Sequence, residues 1–392
     1  MRGRVGVLVA VLVGLGACTA APEPSAPAGE TPGVTTTTAP PAEPLRLTLT
    51  PADKAKDVEP GQPVTVQVAG GMLSEVVLKN DAGKAVEGKL SDDGRTWTYA
   101  GGLGYGKTYT MTATGKDAEG KPTTSTATFT TAKPARQTAL SMNPLDGQTV
   151  GVGQPFSFYF STNIRDKAAA EKAIRITTSP ETEGAFYWYD DSTVHWRPKE
   201  YWKPGTKVTV DARIYGKHFG NGTYGREDRK ASVTIGDAVV MKADGKTHQM
   251  TVTINGKVAK TMPISMGKKG YETPVGTYVV MSEHVNYTMD SSTYGVPTDA
   301  AEGYRTTVEV ATRMSNSGIF YHSAPWSVGD QGRRNVSHGC INVSTENARW
   351  LQRISQKGDV ITVVNSGGAK LQSWDGLGVW QVPWETWKKG NR

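Results

Sequence analysis

Two stretches of this 392-residue chain read as diverged copies of one unit, and that repetition limits the fold more than any other feature. One copy runs from Leu45 to about Thr131, the other from about Gln137 to Gly236. Each opens on a Pro-Xaa-Asp turn (Pro51-Ala52-Asp53; Pro144-Leu145-Asp146) and reaches a Gly-Gln-Pro (Gly61-Gln62-Pro63; Gly153-Gln154-Pro155). An alternating strand follows, Val64–Val68 in one and Phe156–Phe160 in the other. Later come the matched strands 106–113 and 205–212, and each copy closes on a further strand, Thr126–Thr131 or Ala231–Ile235. Short alternating strands punctuated by Gly, Pro and Asp bury one face each, so two sheets must pack face to face.

About seven strands per ~90–100 residues is the pattern of an immunoglobulin-like sandwich. Neither copy contains a Cys pair, so a large apolar core must hold each together. Trp97, Trp188, Trp196 and Trp202 are therefore assigned to packing, and Lys167–Ile174 to a short helix. The predicted fold is mainly β: sandwiches at 45–132 and 137–236, a β-rich third unit at 237–365 with one main helix, and a packed tail at 366–392. In the third unit, His248–Ile254 and Lys257–Met262 flank Asn255-Gly256, a two-residue hairpin turn. Further strands are predicted at Gly276–Met281, Gly318–His322 and Asp359–Val364. The helix is placed between Ser344, a plausible N-cap, and Gly358, which can close it. The tail carries Trp374, Trp380, Trp384 and Trp387, too much aromatic area to stay in water.

The first residues follow a secretory pattern: Arg2 and Arg4, an apolar run from Val5 to Leu15, then small residues before Cys18. The run is too short to span a bilayer. Leu15-Gly16-Ala17-Cys18 resembles a bacterial lipobox, which implies that Cys18 carries a lipid and anchors the chain to the outer face of the cell membrane. Residues 19–44 hold seven prolines and the run Thr35–Thr38, a composition that cannot build a core. Extended, such a tether reaches about 80 Å. The net charge of +7 suits an acidic setting such as a lipid surface or wall polymer. No phosphate-binding Gly loop, zinc-finger spacing or long basic run occurs, which argues against nucleotide or nucleic-acid partners.

Only two cysteines occur. With Cys18 lipidated, Cys340 has no disulfide partner in an oxidising compartment, and a thiol kept there points to a nucleophile. It sits in Ser337-His338-Gly339-Cys340-Ile341-Asn342, with His322 upstream at the end of the strand Ile319-Phe320-Tyr321. A cysteine nucleophile needs a base and donors for the oxyanion, and a tight Gly-containing loop can turn successive N–H groups to one point. The helix starting near Ser344 is expected to favour a thiolate. His195, His218, His248 and His284 lack metal-ligand spacing, so no metal or other cofactor is expected. Asp92-Asp93 and Asp190-Asp191 flank turns and do not make a glycosidase pair.

His322, fourteen intervening residues, then Ser-His-Gly-Cys-hydrophobic-Asn resembles the signature of the L,D-transpeptidase (YkuD-type) domain. The resemblance extends to Met289–Pro297, to His322–Gly329, and to the overall order of segments, which is that of large actinobacterial members. It implies Cys340 as acylated nucleophile, His322 as acid/base, and the Ser323 carbonyl as the group orienting the imidazole. It further implies oxyanion donors at Gly339 and Cys340 with His338, a lid from Glu283 to Met314 carrying Tyr294 and Tyr304, and substrate contacts at Tyr304, Ser317, Gly318 and Asn342. Trp326 flanks the site and is assigned either to it or to the core. The implied donor is a peptidoglycan stem tetrapeptide, which loses its terminal D-Ala. The implied acceptor is the side-chain amine of another stem's diamino acid, giving a 3→3 cross-link. Carbapenems are the implied inhibitors. Some relatives carry a cation site in the second sandwich, but Lys217-His218-Phe219-Gly220-Asn221-Gly222 lacks the carboxylates for it.

Two other readings remain open at this point. A cysteine wall hydrolase is one, although papain-like hydrolases place Cys before His, the reverse of the order here. A non-catalytic wall-binding lipoprotein is the other. No polar cluster stands out on either sandwich, so both are read as spacers.

Overall fold

The computed structural model describes residues 43–392; Cys18, expected to carry a lipid, and the rest of the stretch up to residue 42 lie outside it. In the first repeat, one sheet orders Arg46–Thr50, Val64–Ala69, Thr96–Tyr99 and Lys89–Leu90. The other orders Ala85–Val86, Met72–Asn80, Thr108–Lys116 and Pro122–Thr130. The in-facing positions of both, among them Val64, Val66, Trp97, Leu78, Met111 and Phe129, share one apolar core. The alternation read from the sequence is thus the alternation of a two-layer sandwich.

The second repeat builds the same arrangement from Leu140–Asn143, Phe156–Phe160, Thr193–Pro198 and Gly184–Trp188 against Thr149–Val150, Arg229–Ile235, Lys207–Ala212 and Ile174–Ser179. Its core holds Trp188, Trp196 and Trp202, and Lys167–Ala173 is a helix capped by Asp166. The loop at 217–222 serves as a junction between the two sandwiches: Lys217 pairs with Glu59 of the first repeat at 3.1 Å.

The third unit stacks two sheets. The five-stranded one orders Lys257–Pro263, Gln249–Ile254, Val239–Asp244, Val360–Val364 and Gly276–Val279. Asn255 and Gly256 both take positive φ (50° and 80°), as the hairpin turn between its first two strands requires. The four-stranded one orders Ser282–Asp290, Arg305–Arg313, Phe320–Ser323 and Ile341–Val343. Met241, Val252 and Ile361 from one sheet meet Val310, Tyr321 and Ile341 from the other, and Leu351 of the helix Thr345–Ile354 joins them. Ser344 caps that helix by accepting the Asn347 N–H at 3.2 Å, worth about 1 kcal/mol.

The helix stops earlier than the sequence suggests. It ends at Ile354, with Ser355 in extended backbone. Gly358 instead forms the seam with the second sandwich: its carbonyl accepts the Gly153 N–H, and a Cβ there would lie 2.7 Å from the Gly151 nitrogen. The tail packs mainly on the second sandwich. Trp387 is fully buried and donates to Ala185 O, while Trp380 donates to Gly153 O, both at 2.8 Å. Between these rings lies Arg197 of the sandwich, its guanidinium 4.5 Å from Trp380 and 4.6 Å from Trp387. Trp374 departs from the packed-tail expectation and is 64% exposed.

Candidate active site

Two neighbouring strands deliver the central pair. Phe320–Ser323 runs parallel to Ile341–Val343, with Tyr321 opposite Ile341 and His322 opposite Asn342. Alternation sends Tyr321 into the core and His322 to the other face, while Cys340 stands just before the second strand. His322 and Cys340 thereby open into one cavity of about 310 Å³, lined also by Met289, Tyr304, Trp326, Ser337, His338 and Asn342.

Nδ1 of His322 donates to the carbonyl of Ser323 at 3.0 Å, which leaves Nε2 as the acceptor. The Ser323 hydroxyl is engaged elsewhere, bridging to the backbone of Val310. Burial holds the imidazole pKa down to about 4, against the opposing pull of the Ser323 carbonyl. Burial likewise pushes the Cys340 thiol up to about 11, offset in part by the Phe320 N–H and the Arg313 guanidinium. Burial therefore favours the neutral thiol and the neutral imidazole. This corrects the expectation of a helix-stabilised thiolate: the N-terminus of the helix lies beyond the strand Ile341–Val343, and desolvation dominates at the sulfur. The thiol hydrogen bonds to the carbonyl of Gly318, with Sγ 3.6 Å from the oxygen.

The loop before the cysteine is locked from several sides. The Ser337 hydroxyl donates to Cys340 O at 2.6 Å, and Thr273 donates to Gly339 O at 2.7 Å. Gly339 has φ +120°, a backbone that side chains disfavour. Its N–H donates to the Ser337 hydroxyl at 3.1 Å, so in this resting geometry it is not the free oxyanion donor that was expected. His338 shapes the wall: its Nε2 lies 2.5 Å from a carboxylate oxygen of Glu302, and its ring packs edge-on against Tyr271. Lys268 pairs with the same carboxylate at 2.6 Å.

Over the cavity arches the hairpin Ser282–Asp290 / Arg305–Arg313, closed by the loop that holds the 3-10 turn Ser291–Tyr294. Met289, Tyr294 and Tyr304 from it pack in a small apolar cluster with Phe320 and Cys340. Tyr304 lines the cavity, whereas Tyr294 lies flat on Gly318, where a Cβ would sit 2.1 Å from its ring. Trp326 belongs to the site rather than the core: it is 58% exposed, with its ring centroid 5.9 Å from that of His322. Asn342 donates to Ser327 through Nδ2, and its buried Oδ1 has no partner. Ser317 does not line the cavity; its side chain turns to Asp375 of the tail.

Glu302, Lys268, Arg313, Ser315 and Asp375 were not singled out in the sequence. Glu302 lay within the expected lid, but nothing there marks one carboxylate among several. Arg313, whose guanidinium stacks 4.8 Å over Phe320 and donates to the Tyr287 and Tyr294 hydroxyls, reads in the sequence as one more strand cation.

Against known proteins, residues 238–363 match the family described as L,D-transpeptidase catalytic domain, and residues 55–218 match a bacterial Ig domain that runs across both repeats. The chain is 47% identical to L,D-transpeptidase 2 of Mycobacterium tuberculosis over 88% of its own length and 85% of the relative's. To L,D-transpeptidase 5 of the same species it is 39% identical, over 89% and 77%. A solved L,D-transpeptidase in complex with imipenem superposes with a TM-score of 0.51 at 40% identity, covering 57% of this chain and 97% of that one.

Proposed function

The chain belongs to the L,D-transpeptidase family, and from that premise we propose that it is a cysteine acyltransferase that joins peptidoglycan stems by 3→3 cross-links. The observation that carries the reading is the delivery of His322 and Cys340 by paired strands into one cavity, with the Ser323 carbonyl leaving Nε2 unprotonated. Because both groups rest neutral, proton transfer accompanies attack. Nε2 of His322 takes the Sγ proton as sulfur bonds to the carbonyl carbon of the donor's third residue. The tetrahedral oxyanion is met by the Cys340 N–H and, once it leaves the Ser337 hydroxyl, by the Gly339 N–H. Collapse breaks the bond to the terminal D-Ala, whose amine leaves with the proton from His322. The thioester is then attacked by an acceptor amine, which gives its proton to His322, and the imidazole returns it to sulfur.

The residues around the cavity fit these steps. Asn342 lines the cavity, and Tyr304 and Trp326 supply apolar walls against which the stem can lie. The lid keeps water from the thioester. Cys18 with the Pro-rich tether gives the chain a membrane anchor facing the wall, and the sandwiches raise the site above it. Since a relative is solved with imipenem, a carbapenem is proposed to acylate Cys340 here.

The test is to incubate the protein with a disaccharide tetrapeptide and follow products by mass. A dimer lacking one D-Ala is expected, together with a carbapenem adduct absent from Cys340→Ala. Tripeptide alone means that water is the acceptor and the chain is a hydrolase; turnover by Cys340→Ala ends the reading altogether.

A further inference from the structure

The carbonyl that receives the Cys340 thiol hydrogen belongs to the Gly318–Ile319 peptide, and the other end of that peptide is also engaged. The Ile319 N–H donates to the Ser315 hydroxyl at 3.0 Å. Ser315 Oγ lies 2.9 Å from Ser317 Oγ, and Ser317 Oγ donates to Oδ2 of Asp375 at 2.5 Å. Each hydroxyl has one hydrogen. Ser317 gives its own to the carboxylate, so Ser315 must give its own to Ser317, and the direction of every bond is fixed. The result is an unbroken line from S–H through a peptide and two hydroxyls to a carboxylate.

Asp375 is built for this position. It is 5% exposed and comes from the tail, far from the motif in sequence. Its Oδ1 accepts the Ser317 N–H at 2.9 Å, so it grips both the backbone and the side chain of that residue. Gly376, at φ +69°, brings the tail so close to the Met314–Ser315 turn that a Cβ would lie 3.1 Å from Ser315 Cα. Aligned hydrogen bonds polarise one another, and a carboxylate at the far end makes the Gly318 oxygen a better acceptor. The geometry points to Asp375 as a positioning residue: through Ser317, Ser315 and the Gly318–Ile319 peptide, it holds the Cys340 thiol fixed and protonated until substrate arrives.

This assignment rests on the reading of Cys340 as the acyl-accepting nucleophile. The titratable and charged groups that face the sulfur are His322, His338, Tyr278, Tyr294, Tyr304 and Arg313. Ser315→Ala leaves the charge of all of them in place, whereas Asp375→Asn changes the surroundings of one, Tyr278. Tyr278 is the group that also faces Asp375.

The experiment follows alkylation of Cys340 by iodoacetamide against pH, read by mass on the Cys340 peptide, in the parent, Asp375→Asn and Ser315→Ala. Weakening the acceptor favours the thiolate. Both variants are expected to react about threefold faster at pH 8, with a midpoint lower by about half a unit. Turnover falls several-fold, with the donor KM within twofold. A purely structural role lowers the melting temperature and leaves the pH profile in place. Superimposable profiles in either folded variant overturn the assignment. If neither variant folds, the parent decides: its infrared S–H stretch, taken as a difference against Cys340→Ala, must lie below that of a thiol in hydrocarbon, and an unbonded frequency refutes the line. Alkylation and the S–H stretch need no substrate. A shifted profile without cross-linking therefore sinks only the proposed function, and cross-linking with an unshifted profile sinks only the positioning role.

Discussion

Replacing Asp359 by Asn should make the protein more stable at pH 8 while changing little at pH 5. Asp359 is fully buried at the seam with the second sandwich. Its Oδ2 accepts the Gln356 N–H at 2.7 Å, but Oδ1 has no partner, and Tyr321 OH nearby also lacks one. Burial pushes its pKa from 3.8 up to about 8, and the neighbouring Glu283 carboxylate acts in the same direction. A carboxyl raised on folding keeps its proton in the native state after the unfolded chain has released its own. Its favourable contribution is complete below the unfolded pKa and is lost as pH rises through the folded one. At about 1.4 kcal/mol per unit, the loss between pH 5 and pH 8 is on the order of 3–4 kcal/mol. Asn has the same shape, can accept the Gln356 N–H and never ionises. Calorimetric scans of parent and Asp359→Asn should agree within about 2 °C at pH 5 and separate by roughly 6 °C or more at pH 8, the variant melting higher. A gap that does not widen from pH 5 to pH 8 refutes the buried-acid account of this seam.

Three further outcomes follow from the site and its supports. With His322 held near pKa 4 and Cys340 near 11, acylation rates should stay flat down to about pH 5 and fall only as the imidazole protonates below that; rate measurements showing half-loss near the ordinary imidazole value of about 6.5 contradict this. Gly318→Ala forces a side chain onto φ +93° and into the Tyr294 ring, so the lid tyrosine must move; carbapenem acylation measured by mass should slow by about tenfold or more, and an unchanged rate means that Tyr294 packing is dispensable. Arg197→Ala removes the cation between Trp380 and Trp387 and its 2.8 Å bond to Val382 O; a loss of about 2–4 kcal/mol should appear as rapid proteolytic cleavage within residues 366–392, and a tail as resistant as the parent's contradicts the clamp.

What the sequence made legible is what short-range rules encode. The repeated Gly-Gln-Pro and the strands after it are set by alternation and turn residues, and they appear at nearly the expected positions. His322 and Cys340 were legible because a strand end and a glycine-bearing loop each carry chemistry in a few contiguous residues. The lid hairpin was legible only through family resemblance: along Ser282–Asp290 only Met289 is buried and the alternation slips at Val285-Asn286, so the strand carries little apolar pattern to read. The closing role given to Gly358 failed because a glycine after a helical run can equally mark a close approach of another domain, and the partner, Gly151, lies some two hundred residues away. Asp375 escaped for the same reason: its meaning depends on Ser317 and Ser315, which only the folded tail brings to it.

The neutral resting pair bears on how such a site is controlled. Burial disfavours both the thiolate and the imidazolium, so desolvation opposes a standing ion pair before substrate binds. Reactivity must then come from what substrate adds: a carbonyl beside the sulfur, an oxyanion within reach of the loop donors, and displaced water. A lone thiol gains from this wherever oxidants reach it, because the thiolate is the species that they attack. The bond to Gly318, the apolar cluster of Met289, Phe320 and the lid tyrosines, and the desolvated His322 all act in that one direction. Burial that depresses the nucleophile's reactivity toward small reagents is the same burial that strengthens the oxyanion contacts once a stem fills the cavity. Selectivity for substrate over solvent and oxidant thus follows from one physical cause.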